Sequence, residues 1–403
     1  MNKLIGLLIL FVIGYGTAQA QEVLAVKEAV EIALENNYDI RLSQSDLTVA
    51  STNVTYGNAG MLPVVTGNFS QSNSSQNSKQ TQASGEVREL DNAKNNNMSY
   101  GVSLGWTIFD GLGMFSRYDK LKALEKQGDV QLKGVILNTV SQVINLYYTI
   151  VEQQKMLQAI DTNIVLSQER LRMAENRFSI GKASKLEVLN VQVNLNADIS
   201  TRLKQIEVLR NLKVNLNSVL ARDLLIDFQV DDEVTYNKEM VYVELLDLAK
   251  HQNPALQLAA INKHLAELDV KTVKANRYPT VRLNTGYNFS QSESSLGFVS
   301  SSNARGLNSG VTASLIIFDG FNQRRNENVA KIRVDQAEML IAQQELQIKT
   351  ALTTAFQTYK TNLDLANLEE NNEQIAKQNL AITLDKYKIG TISTIEFRDA
   401  QEN

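Results

Sequence analysis

Two aspartates occupy the same six-residue setting, Trp106-Thr-Ile-Phe109-Asp110-Gly111 and Leu315-Ile-Ile-Phe318-Asp319-Gly320. A carboxylate at a strand end has two uses open to it: acid, base or nucleophilic chemistry, or acceptance of hydrogen bonds from the free N–H groups that begin a helix. Catalysis needs partners. The chain has two histidines, His251 and His264, both in helical-looking segments without a partnered motif, and no cysteine. That excludes a thiol nucleophile, a thiolate metal site and a disulfide framework. Both aspartates therefore read as caps at a strand-to-helix junction, where phenylalanine ends the strand at an interface and glycine permits the tight turn. No enzymatic activity, metal or cofactor is expected.

A second pair of motifs follows each junction. Arg177-Phe178-Ser-Ile180-Gly181-Lys-Ala-Ser184-Lys-Leu186 returns as Lys386-Tyr387-Lys-Ile389-Gly390-Thr-Ile-Ser393-Thr-Ile395. Asp110 to Asp319 and Gly181 to Gly390 are both offsets of 209, so no net insertion separates the two copies. Constant length over about seventy proline-free residues marks a rigid element held in register, and such runs read as very long helices. At 1.5 Å per residue, roughly 67 residues span on the order of 100 Å and must pack along their length. Leu157, Ile160, Ile164, Ser167, Leu171, Ala174 and Phe178 follow 3-4 spacing, as do Ile136, Val140, Val143, Tyr147 and Ile150 in another phase, the pattern of a coiled coil. In the turns, glycine supplies a positive φ and serine caps the returning helix.

Ahead of each junction the periodicity changes to strict alternation. Val102, Leu104, Trp106 and Ile108 form one apolar face, Val281, Leu283, Thr285, Tyr287 and Phe289 a second, Val311, Ala313, Leu315 and Ile317 a third, and Val65, Gly67 and Phe69 a weak fourth. The polar stretches 71–97 and 291–308 read as loops joining these strands into two hairpins. Apolar-out, polar-in strands of about ten residues suit an outer-membrane barrel or a soluble sandwich, and four cannot close a barrel. Two copies would give 8 strands and three would give 12.

The remaining elements fit between these landmarks. Residues 22 to about 60 predict a helix, interrupted near Asn36-Asn37 and stopped by Pro63; helices are expected from about Ser184 to Leu220 and Val241 to Arg277. Pro63 and Pro279 are 216 apart, which places a net difference of seven residues before the junctions. Lys3, the apolar run Leu4 to Ile13 and Ala18-Gln19-Ala20 predict a cleaved export signal over 1–20. The expected organisation is a first repeat over 21–221, a linker over 222–240 and a second repeat over 241–403. A net charge of -4 offers no basic surplus for nucleic acid.

The duplicated Phe-Asp-Gly strand ends and paired helical turns, in order and at equal offsets, resemble the TolC-type outer-membrane efflux proteins over nearly the whole chain. That resemblance implies a mainly α chain with a transmembrane β part: a homotrimer combining a 12-stranded β-barrel, four strands from each chain in outer-membrane lipid, with a long coiled-coil α-helical barrel in the periplasm. It implies passive export of substrates delivered by an inner-membrane transporter and a periplasmic adaptor. Arg177, Phe178, Gly181, Ser184 and Leu186, with Lys386, Tyr387, Gly390, Ser393 and Ile395, then correspond to the adaptor-contact tip. Glu396 and Asp399, three apart on one helix face, correspond to an acidic pore constriction, with some carboxylate pKa values raised by repulsion. The first copy continues nearly forty residues past Gly181 and the second about fourteen past Gly390, so a final returning helix is expected beyond Asn403. A periplasmic adaptor or a structural coiled-coil envelope protein is the competing reading; two equivalent hairpins and membrane-style strands argue against both.

Overall fold

The computed structural model describes residues 22–234, 236–237, 239–295 and 299–402; the expected export signal lies outside them. Strand β1 (Glu22–Leu24) leads into α1 (Val26–Asn36) and α2 (Tyr38–Thr52), then strands β2 (Val64–Thr81) and β3 (Val87–Asp110), the 67-residue helix α3 (Gly113–Ser179) and α4 (Lys185–Val219). After β4 (Phe228–Val230), the second repeat supplies α5 (Tyr242–Gln252), α6 (Pro254–Ala275), β5 (Thr280–Ser294), β6 (Ser301–Ser314), the 68-residue α7 (Asn322–Ile389) and α8 (Thr394–Glu402).

The segment before each sheet hairpin is not one helix. Asn37 breaks the first: its Oδ1 accepts from Asp39 N at 2.9 Å and Ile40 N at 3.2 Å, capping α2. Asn253 does the same 216 residues later, accepting from Ala255 N at 2.9 Å and Leu256 N at 3.4 Å ahead of Pro254, which has no N–H to leave unpaired. The expected single helix over 241–277 is therefore two. α2 also stops at Thr52, well before Pro63, in a series of turns.

The polar stretches expected to be loops are strands. β2 and β3 are joined only through residues 82–86, and β5 ends at Ser294 with β6 resuming at Ser301. Backbone pairing carries them, helped by polar side chains across the ladder, such as Ser292 Oγ donating to Asn97 Oδ1 at 2.7 Å. Polarity on both faces suits a sheet with water on both sides; it does not forbid sheet. The third expected apolar run is cut short: β6 ends at Ser314, leaving Leu315 and Ile317 outside it.

Two compact units divide the chain. One comprises residues 42–134 and 241–357 and carries an antiparallel sheet in the order β2-β3-β5-β6. The other comprises residues 22–41, 135–240 and 358–402 and carries both helical turns. Its core gathers Ala29 and Ala33 of α1, Val143, Tyr147 and Ile150 of α3, and Leu209 and Leu216 of α4 around the parallel pair β1-β4. Tyr147 ties this together: its hydroxyl donates to Leu24 O at 2.9 Å and accepts from Asp231 N at 3.0 Å. Burial pushes the Tyr147 phenol up from its ordinary value. Further along α3, Ile160 and Ile164 pack on Leu195, and Ala174 on Val188 and Val191, which continues the heptad stripe read from the sequence.

Candidate pore wall and helical tip

The four strands segregate chemistry by face. Pairing places Val65, Leu104, Thr285 and Ser309 in one row, Gly67, Val102, Tyr287 and Leu307 in the next, and Phe69, Tyr100, Phe289 and Arg305 in a third, so that the apolar face is continuous over β2, β3 and β5 and interrupted on β6. Tyr100 and Phe289 stack at 4.9 Å, and Tyr287 meets Phe289 edge-on at 5.1 Å. The opposite face presents Thr66, Asn68, Ser103, Asn284, Asn288 and Asn308, with Thr66 Oγ1 2.8 Å from Ser103 Oγ and Asn68 Nδ2 donating to Ser103 Oγ at 3.0 Å. From Tyr100 to Phe109 is about 30 Å along the strand, or about 23 Å along a membrane normal at the usual tilt, close to the apolar band of an outer-membrane barrel. One face thus suits lipid and the other water.

At each junction the aspartate caps its helix. Asp110 Oδ1 accepts from Met114 N at 3.0 Å, and Asp319 Oδ2 accepts from Gln323 N at 2.7 Å. Gly111 and Gly320 both take φ +69°, and the following Leu112 and Phe321 share the positive-φ region. Phe109, next to last in β3, is half-buried, whereas Phe318 is 72% exposed and meets Phe321 edge-on. Each junction is then fastened differently. Arg117 joins Asp110 Oδ2 at 2.7 Å to Ala59 O at 3.0 Å, while Arg277 donates from Nε and Nη2, along one guanidinium edge, to the two carboxylate oxygens of Glu327. The Arg277 hydrogen bond holds the Glu327 carboxyl below its usual range. Sequence reading missed these arginines, whose contacts to Ala59 and Glu327 span 58 and 50 positions.

The two tips have one backbone design. In the first, Lys182 N donates to Arg177 O at 2.8 Å and Gly181 N to Phe178 O at 3.0 Å; in the second, Thr391 N donates to Lys386 O at 3.1 Å and Gly390 N to Tyr387 O at 3.0 Å. This is the Schellman closure, with Gly181 at φ +74° and Gly390 at φ +77°. Ser184 Oγ then accepts from Glu187 N at 3.1 Å, and Ser393 Oγ from Glu396 N at 3.2 Å.

Side chains distinguish the copies. Tyr387 stacks on Phe397 at 5.0 Å and is 1% exposed, whereas its counterpart Phe178 lies open beneath Lys185 Nζ at 5.6 Å. Leu186 and Ile395 project into solvent, 66% and 72% exposed. Glu187 joins the tips, lying 3.6 Å from Arg177 and accepting from Thr394 Oγ1 at 3.2 Å. Behind it, Gln401 Nε2 donates to Asn163 O at 3.1 Å and Ser167 Oγ at 3.0 Å, and buried Arg170 donates to Gln401 Oε1 at 3.3 Å. Ser167 could have been suspected as a polar residue on the apolar seam; Arg170 lies one position before Leu171 of that seam.

Glu396 and Asp399 are both exposed on α8. Within one chain Glu396 closes a capping box: its Oε2 accepts from Ser393 N at 2.7 Å, and that hydrogen bond lowers its pKa. Among the described residues no three of His, Asp and Glu converge as a metal site.

A sheet with a lipid-compatible face in a chain with two equivalent helical turns fits the class of outer-membrane channel proteins. The chain belongs to the outer membrane efflux protein family, whose model matches residues 29–222 and 245–403. It is 22% identical to the probable efflux pump outer membrane protein TtgC of Pseudomonas putida strain KT2440, over 94% of this chain and 77% of that protein. It is 24% identical to nodulation protein T of Rhizobium leguminosarum bv. trifolii, over 46% of this chain and 38% of that protein. Its fold matches the solved outer-membrane channel OprN with a TM-score of 0.76 at 18% identity, covering 94% of this chain and 83% of that one.

Proposed function

We propose that this outer-membrane efflux channel is the exit duct of a tripartite efflux or type I secretion system, built as a homotrimer with 12 strands in the membrane and a helical tunnel in the periplasm. The observation that carries the reading is the pair of equivalent Schellman tips joined through Glu187, with Leu186 and Ile395 exposed beside them. Exposed aliphatic side chains on a rigid, duplicated turn suit a repeated partner that presents its own helical hairpin. A periplasmic adaptor has that chemistry, and an inner-membrane transporter supplies the energy; the duct itself is passive. Arg177, Phe178, Gly181, Ser184 and Leu186 form one contact half, and Lys386, Tyr387, Gly390, Ser393 and Ile395 the other. Glu396 and Asp399 narrow the pore, Asp399 directing charge inward while Glu396 is shared with the cap of α8.

The test is efflux by cells lacking the chromosomal gene. Dye accumulation should fall with the unaltered protein and stay high with Leu186→Asp/Ile395→Asp at equal outer-membrane level. Full efflux by that variant would remove the tip from adaptor docking.

A further inference from the structure

Away from the junctions and tips, one groove combines an apolar floor with an unbalanced charge. It runs between α3 and α6, encloses about 690 Å³, and lies wholly within the compact unit that carries the sheet. Ala123 and Val130 of α3 and Ile261 and Leu268 of α6, all buried, form its floor. On the far side of that floor the helices are cross-linked: Lys120 Nζ donates to Asp269 Oδ1 at 2.6 Å, and Gln127 Nε2 to Asn262 Oδ1 at 2.7 Å. The seam is therefore closed on one side and open on the other.

Lys122, Lys126 and Lys271 line the open side, all exposed. Among the described residues none of the three has a carboxylate partner; Lys122 Nζ instead lies 4.4 Å from the centre of the Tyr118 ring. Asp119 is the one carboxylate lining the groove, and of the acids nearby Asp269 is bonded to Lys120 and Glu267 faces His264 at 3.5 Å. Lys122 and Lys126 stand four apart on one helix, where like charges repel. The groove is also internal to the chain's helical layer. Gly128 of α3 lies against Leu47 and Ala50 of α2, and Lys263 of α6 is 3.4 Å from Glu338 of α7, so another copy added beside this layer leaves the α3–α6 seam open.

We infer that this groove binds a small amphiphilic anion from solution, its apolar body on the floor and one sulfonate, phosphate or carboxylate group among the three ammonium groups. The volume suits a small-molecule site, the floor carries no polar group that binding would strand, and the rim supplies the charge that selects the anion. Lysine stems extend the apolar wall while their heads stay in water until the anion arrives. A membrane lipid is not the occupant. Residues 119–130 follow Gly113, the first residue of α3, by about 9–26 Å along the helix, whereas headgroups reach only about 5–7 Å beyond the hydrocarbon. One chain makes the whole site, so it stands whether or not copies enclose a duct.

Two fluorescent probes with the same ring system test this on full-length protein in nanodiscs of zwitterionic lipid: the anion 8-anilinonaphthalene-1-sulfonate and the neutral N-phenyl-1-naphthylamine, each corrected for empty discs. The anion should bind saturably, and Lys122→Gln/Lys126→Gln/Lys271→Gln should weaken it at least about tenfold while changing the neutral probe less than about twofold. Lys122→Arg/Lys126→Arg/Lys271→Arg keeps the charge and should bind the anion as the unaltered chain does. Ala260→Trp, at an exposed position lining the groove, should remove binding of the anion by filling its floor. The three lysines are exposed and unpaired, so the glutamine and arginine variants should keep the fold, which limited proteolysis checks. Anion binding unchanged by the glutamine substitutions, or equal loss of both probes, would overturn the charge selection; binding unchanged by Ala260→Trp would overturn the site.

Discussion

The carbonyl oxygen of Ala275 occupies the space a side chain on Gly111 would need, 2.2 Å from the position of its Cβ. Contact of that kind cannot relax by a rotamer change, because the neighbouring atom is backbone. Gly111→Ala should therefore displace the β3–α3 junction and greatly reduce folded protein in the membrane. Gly320→Ala meets no such wall in one chain and costs only the positive φ, about 1–2 kcal/mol. Its chain should fold, and its defect should lie in oligomer formation. Limited proteolysis beside native gel analysis separates the two outcomes.

Arg277 and Glu327 fasten the second junction. Glu327 is buried, and Gln323 Nε2 links it to Val273 O, donating to the carboxylate at 2.9 Å and to the carbonyl at 2.7 Å. Glu327→Ala removes the acceptor shared by both donors and should cost about 1–3 kcal/mol. The folded-state pKa of Glu327 is lowered, so its contribution is complete above the ordinary carboxylate range and is lost as pH falls through the lowered value. A denaturation series on the protein and on Glu327→Ala should converge in acid; a constant gap would contradict this role.

Glu396 is also lowered, through its hydrogen bond from Ser393 N. The same sign applies: the cap of α8 holds above the ordinary carboxylate range and loosens in acid. Amide exchange at Ser393, corrected for intrinsic rates, should accelerate as pH falls through the lowered value. Glu396→Ala should show the fast rate throughout.

Glu187 contacts Arg177 within its own tip and Thr394 across 207 positions of sequence. Both ion-pair partners are partly exposed, so Glu187→Ala should cost about 0.2–1 kcal/mol globally. Its local effect should be larger, with faster exchange at the start of α8 and little change at Gly181. Equal acceleration at both tips would show that Glu187 serves the first turn rather than their connection.

Sequence made the duplication legible because rigid helices keep their lengths: the offset of 209 locates both junctions and both tips to the residue. Helix caps at Asp110, Asp319, Ser184 and Ser393 were readable because their partners lie within four positions. What escaped was set by distant partners. Polar residues 71–97 looked like loop because composition reports solvent on both sides, while the ladder that makes them strand belongs to residues up to about two hundred positions away. Ile317 looked like strand because its alternation is right, yet no strand among the described residues pairs with it. The pair β1-β4 is too short to show a period at all.

The central claim is that copies of this chain enclose a water-filled pore whose narrowest charge comes from Glu396 and Asp399. Single-channel recording of the full-length oligomer in planar bilayers tests it most directly, with Glu396→Ala/Asp399→Ala as the comparison. A small cation-selective conductance, blocked by divalent ions and freed from that block in the double variant, is the predicted result. A folded, membrane-inserted oligomer that passes no current would contradict the pore, and a divalent block unchanged in the double variant would contradict the acidic constriction.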